Sequence, residues 1–132
     1  IVRLLLRKGA DPNVMGPLGT PLRYACIYRL LGATKALLEA GADLNVRVCI
    51  DCCDNDDSRS VLDTAARQGT ADIVRVLIEH GADVGIAGPD GDTPLHHAAY
   101  SRFAEVADVL IGAGTNIEAR NADNQTPLHI AA

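Results

Sequence analysis

The stretch DGDTPLHHAAY, residues 90–100, returns as DNQTPLHIAA at 123–132, with Thr93 and Thr126 set 33 residues apart. A degraded copy, SVLDTAARQG, starts 33 residues before Thr93 at Ser60, and another, TPLRYAC, starts at Thr20. A second marker runs in parallel: GADPN at Gly9, GADLN at Gly41, GADVG at Gly81 and GTNIE at Gly114. The steps from Thr20 to Gly41, Ser60 to Gly81 and Thr93 to Gly114 are each 21 residues, whereas the connectors between them run 11, 19, 12 and 12. Fixed blocks joined by variable connectors belong to a stack of small units, each burying its apolar face only against its neighbours.

The block itself reads as two helices. Thr93 caps the first through its hydroxyl, and Pro94 follows at the position where a missing N–H costs nothing. Leu95, Ala98 and Ala99 come at helical spacing, and the paired alanines permit close approach of another helix. A turn falls near Arg102, where the second copy has Gly69, suited to a left-handed residue. Val106, Ala107, Leu110 and Ile111 then form the buried stripe of a second helix. Their counterparts are Ile73, Val74, Leu77 and Ile78, and, at the start, Ile1, Val2, Leu5 and Leu6. Glycines 9, 41, 81 and 114 end each second helix, and the connector reads as a turn or hairpin. Thr93 with His96 has the composition of a nucleophile and base pair. A catalytic site, however, wants one converging set of different residues, whereas one copy per unit suits a scaffold.

TPLHHAA with VADVLIGAG, TPLHIAA, TPLRYAC with KALLEAGADLN, and AARQGTADIVRVLIEHGAD together resemble the ankyrin repeat, over essentially the whole chain. The resemblance implies an all-α fold, an α-solenoid of helix-turn-helix units joined by β-hairpin loops. It implies one domain over 1–132 with units at 15–46, 47–86 (a long hairpin insertion at 47–59) and 87–119, and partial units at 1–14 and 120–132. In that family the Thr and His of each motif are structural, tying the first helix and linking neighbouring loops. Arg23 and Asp63 replace the His in two copies, so those units are expected to lose the tie and sit looser. In the first unit the connector is one residue short, and Leu30, Leu31 and Gly32 replace the usual polar turn. A late start of its second helix is expected.

Composition narrows the function. The four aromatics are Tyr24, Tyr28, Tyr100 and Phe103, and the formal net charge is −5. Nucleic-acid binding wants a basic stripe and stacking platforms, so no nucleic-acid partner is expected. No apolar run approaches the roughly 20 residues that span a bilayer, so membrane insertion is not expected either. Four cysteines form no secreted disulfide framework, and a reducing intracellular setting, the cytoplasm, fits them. Cys26 falls in a small-residue slot and reads as a free core thiol. Ile1 opens on a second helix and Ala132 closes inside a first, so a fragment of a longer array is expected, monomeric within its parent chain.

The long connector, Gly41 to Ser60, holds Cys49, Cys52 and Cys53 with Asp51, Asp54, Asp56 and Asp57. Cys49-x-x-Cys52 has zinc-like spacing but lacks the second ligand pair. Asp54-Asn55-Asp56 starts like a calcium loop, yet Ala65 stands where the bidentate Glu belongs. The reading is a solvated hairpin tip with an acidic end and no metal.

No cofactor and no enzymatic activity are expected. The reading is a protein–protein interaction module that binds another protein on a concave face. The resemblance places the contacts on hairpin tips (Asp57, Arg59, Pro89, Asp90, Asp92, Asp123, Gln125) and at the ends of first helices (Ile27, Tyr28, Arg67, Gln68, Tyr100, Ser101). The alternative is a structural spacer or a regulatory segment of a larger signalling protein or enzyme.

Overall fold

The computed structural model describes residues 1–47 and 59–132. Among these residues there are eight helices: α1 (Val2–Arg7), α2 (Pro21–Ile27), α3 (Leu31–Glu39), α4 (Val61–Gln68), α5 (Ala71–Glu79), α6 (Pro94–Tyr100), α7 (Ala104–Gly112) and α8 (Pro127–Ala131). They make three helix pairs, α2–α3, α4–α5 and α6–α7, between the single helices α1 and α8. First helices pack in the row α2, α4, α6, α8, and second helices in the row α1, α3, α5, α7. One apolar core runs through the stack, from Leu22 and Leu37 through Ile73 and Leu77 to Val106 and Leu110. These Leu, Ile, Val and Ala side chains supply the drive to stack, at roughly 25 cal/mol per Å² removed from water.

The ends of the helices follow from named residues. Thr20, Ser60, Thr93 and Thr126 are the N-cap residues of the first helices, each with extended backbone. Each second helix closes on a glycine with positive φ: +92° at Gly9, +85° at Gly41, +92° at Gly81 and +86° at Gly114. In each case the following N–H reaches back to a helix carbonyl, as in Ala42 to Leu37 at 3.0 Å and Ala82 to Leu77 at 3.0 Å, the closure that a left-handed residue allows. The turn inside each pair also needs a left-handed residue. Gly69 takes it at φ 72°, but Arg29 and Arg102 take it at 57° and 58°.

The late start expected for the second helix of the first unit is not what the structure shows. α3 begins at Leu31, eleven residues after Thr20, as α5 begins eleven after Ser60 and α7 eleven after Thr93. Leu30 takes the backbone angles of Thr70, φ −93° and ψ 80°, so the turn is set by backbone geometry and needs no polar residue. The missing residue of that connector comes from the hairpin tip. Gly16 and Gly19 exchange two backbone hydrogen bonds across Pro17 and Leu18. The later tips, Gly88 to Asp92 and Asn121 to Gln125, close around three residues instead of two.

The two ends of the stack carry apolar grooves. One, of about 580 Å³, is walled by Val2, Leu5, Tyr24, Tyr28 and Leu30, and the other, of about 500 Å³, by Phe103, Ala107, Ile111, Pro127 and Leu128. No described helix is long and apolar enough to cross a membrane.

Candidate interaction surface

The question raised by Thr93 and His96 is settled by where the imidazole sits. His96 is fully buried. Its Nδ1 accepts the Thr93 backbone N–H at 3.1 Å and lies 2.8 Å from the Thr93 hydroxyl. With Nδ1 accepting, Nε2 carries the proton and donates to the Gln125 carbonyl at 3.0 Å. One side chain thus satisfies the start of α6 and ties it to the next unit. His129 repeats the local half, with Nδ1 3.3 Å from the Thr126 nitrogen and 2.8 Å from its hydroxyl. Neither ring lines either of the two apolar grooves.

The expectation that Arg23 loses this tie is corrected. Arg23 is buried, and its guanidinium donates to the Arg59 carbonyl at 2.9 Å. Arg59 precedes Ser60 as Gln125 precedes Thr126, so the longer side chain reaches the same carbonyl of the next unit. Asp63 is different. Its carboxylate is 1% exposed and neither oxygen has a hydrogen-bond partner. Burial pushes this carboxyl up to about 7, against the smaller opposing influence of the nearby Ser60 and the Arg59 charge. A group that can only accept when ionised stands where the other joints have a donor.

Beside Asp63 lies His97, which the sequence reading left without a role. Its Nε2 is 3.3 Å from Arg59 NH1 and 3.9 Å from Asp63 Oδ1. Burial, followed by the Arg59 charge, holds this imidazole down to about 4. Arg59 also approaches Asp90, at 3.7 Å.

The hairpin tips are tied to one another as well. Asp43 N–H donates to Asn13 Oδ1 at 2.7 Å, the Thr115 hydroxyl to the Val84 carbonyl at 3.2 Å, and Ala122 N–H to the Asp90 carbonyl at 2.9 Å. Asn121 Nδ2 donates to Asp92 Oδ1 at 2.8 Å. Gly91 is needed at this crossing, since a Cβ there would stand 2.8 Å from the Ala122 nitrogen.

The residues singled out as contacts therefore divide. Tyr28, Arg67, Tyr100 and Ser101 are exposed at equivalent ends of consecutive stacked first helices, with Tyr28 59% and Tyr100 70% exposed. Ile27 and Gln68 are half-buried beside them. Pro89, Asp90, Asp123 and Gln125 are exposed on the hairpin tips. Asp92 is buried and holds Asn121, so its carboxylate belongs to the joint between tips. Arg59 turns inward to His97, with 18% of its side chain exposed. Asp57 lies outside the described residues, as do Cys49, Cys52 and Cys53. The described residues hold no cluster of three or more His, Cys, Asp or Glu able to take a metal ion.

Stacked helix pairs, hairpin ties and, at two joints, an Arg or His reaching the next unit's carbonyl define a repeat solenoid. The model of ankyrin repeats (3 copies) matches residues 62–132, and that of a single ankyrin repeat matches residues 19–48. The chain belongs to the ankyrin repeat family, whose repeats are generally protein–protein interaction modules. It is 35% identical over 102 residues to an ankyrin repeat domain-containing protein, SAT10, from Stachybotrys chartarum, covering 76% of this chain and 5% of that protein. It is 37% identical over 98 residues to ankyrin repeat and SOCS box protein 16 from Homo sapiens, covering 74% and 20%. It is 33% identical over 109 residues to the E3 ubiquitin-protein ligase mind-bomb from Drosophila melanogaster, covering 73% and 8%. The chain thus spans a minor part of the length of these curated relatives.

Proposed function

We propose that residues 1–132 act as one non-catalytic binding domain that holds a partner protein across its hairpin tips and the exposed ends of its first helices. The observation that carries this reading is the placement of Tyr28, Arg67 and Tyr100. They stand at the C-terminal ends of three consecutive first helices, Arg67 and Tyr100 seven residues after their cap residues and Tyr28 eight, and two of them are large aromatic side chains left in solvent. Exposed Tyr and Arg dominate binding energy at protein interfaces, and a repeat stack presents such residues in a row. Asp90, Asp123 and Gln125 extend the surface onto the tips, and Arg59 forms its inner edge. The setting proposed is intracellular and cytoplasmic.

The short share of its relatives' length that the chain covers favours a second reading, a spacer or regulatory segment of a larger protein. Photo-crosslinking separates the two. A crosslinking residue placed at Tyr100 or Tyr28 is expected to capture a discrete protein from cell extract, while one placed at Lys35 on α3 captures none. Equal yields from all three positions would support the spacer instead.

A further inference from the structure

The joint between the α4–α5 and α6–α7 pairs is built unlike its neighbours. Arg23 donates into the joint before it at 2.9 Å, and His96 into the joint after it at 3.0 Å. Here the equivalent residue is Asp63, which lies 3.9 Å from Nε2 of His97 and has neither carboxylate oxygen hydrogen bonded. The protonation of the pair follows from the third member. A guanidinium only donates, so the Nε2 that faces Arg59 NH1 at 3.3 Å accepts and carries no proton. His97 is then neutral, with its proton on Nδ1. It offers Asp63 no positive charge, and an ionised carboxylate buried without a hydrogen bond is costly.

We infer that Asp63 and His97 form a neutral carboxyl–imidazole pair, not an ion pair, that holds its one titrating proton on Asp63 and sets how this joint responds to pH. Other groups face it from each side. Arg67 comes from α4 itself, Arg59 from the segment before it, and Asp90 and Asp92 from the hairpin before α6, while Arg23 of α2 holds the Arg59 carbonyl. The charged side chains of α5, Asp72, Arg75 and Glu79, are exposed. Arg59 is the centre of the set, since it approaches both His97 and Asp90.

The Asp63 carboxyl is raised from 3.8 to about 7, so its contribution to stability is full below about 4 and is lost as pH rises toward 7. His97 is lowered from 6.5 to about 4, so its contribution is lost as pH falls through the same window. Between these limits the folded pair holds one proton on the carboxyl, and the unfolded pair holds one on the imidazole. The two slopes nearly cancel, and opening the joint moves a proton from one residue to the other without net uptake.

Removing either partner uncovers the slope of the other. Unfolding of the wild-type chain, Asp63→Asn and His97→Gln is to be followed by urea at pH 5 and pH 8. Relative to wild type, D63N is expected to gain about a hundredfold in its folding equilibrium constant from pH 5 to pH 8, and H97Q to lose about thirtyfold. An ion pair predicts instead that both variants are destabilised throughout, with no opposite slopes, and that result overturns the inference. A carbon-13 titration of the Asp63 carboxyl in the wild-type chain gives the same decision without a variant. At pH 5.5 a protonated carboxyl beside a neutral His97 supports the pair, and an ionised one refutes it.

Discussion

Replacing His96 by alanine tests whether the repeated motif is architecture. Three losses follow from the geometry. The Thr93 N–H, now bonded at 3.1 Å, is left in a residue that is 5% exposed, and an unsatisfied buried donor costs about 1–3 kcal/mol. The bond to the Gln125 carbonyl at 3.0 Å is lost, worth about 1 kcal/mol. The void left by a fully buried ring adds a cavity cost of about 1 kcal/mol. The sum is about 4 kcal/mol, a large part of the roughly 5–15 kcal/mol that holds a domain folded. His129→Ala is the internal control. That ring makes the same local contacts at Thr126 but is exposed, so its loss is expected to cost about 1 kcal/mol. Urea denaturation of both variants, with unchanged slope, measures the difference. A gap of about 3 kcal/mol supports the tie, and equal midpoints for H96A and H129A would refute it. Asn at 96 keeps an acceptor near the Nδ1 position without reaching Gln125, and is expected to fall between wild type and alanine.

Other outcomes follow from the same contacts. Gly69→Ala is expected to lose about 2 kcal/mol or more by thermal melting, since its Cβ would meet the Phe103 ring at 2.7 Å and φ is +72°. The reverse change at the equivalent turn of the next unit, Arg102→Gly, relieves a left-handed arginine at φ 58° and is expected to gain up to about 1 kcal/mol. The Cys26 thiol is buried, and burial pushes it up to about 12. It is expected to resist a thiol reagent at pH 8 until the chain unfolds, and immediate labelling would contradict its burial. Amide exchange is expected to be faster in α1, which has no buried residue, and α8 than in α4 and α5. Uniform protection would show that every unit opens together.

The fold was legible because it is written in spacing. A 21-residue block with a capping Thr or Ser, a proline and a closing glycine gives helix positions within a residue or two, and the fixed step from cap to second helix held even where Leu30 broke the polar pattern. What spacing does not carry is reach. Arg23 looked like a missing histidine, yet a guanidinium on a longer stem arrives at the same carbonyl. Asp92 looked like a tip residue, yet the tip folds so that its side chain meets Asn121 of the next hairpin. The Asp63–His97–Arg59 set was unreadable, because its members are brought together by stacking across 38 residues of sequence. The only trace was the doubled histidine at 96 and 97, one ring for each side of the helix. The pairs Ile27–Tyr28, Arg67–Gln68 and Tyr100–Ser101 were legible as a set for the opposite reason, since equivalent positions in a periodic chain remain equivalent in space.

The affinity of the partner captured at Tyr100 tests the binding face most directly. It is to be measured by calorimetry for wild type, for the triple variant Tyr28→Ala, Arg67→Ala, Tyr100→Ala, and for Lys35→Ala with Glu79→Ala on the second-helix side. If the row of first-helix ends carries the contact, the triple variant weakens binding by about a hundredfold or more, as loss of interface anchors does, with the melting temperature kept. The Lys35 and Glu79 variant then binds as wild type does. Unchanged affinity in the triple variant, or a loss confined to Lys35 and Glu79, would place the contact elsewhere and contradict the account.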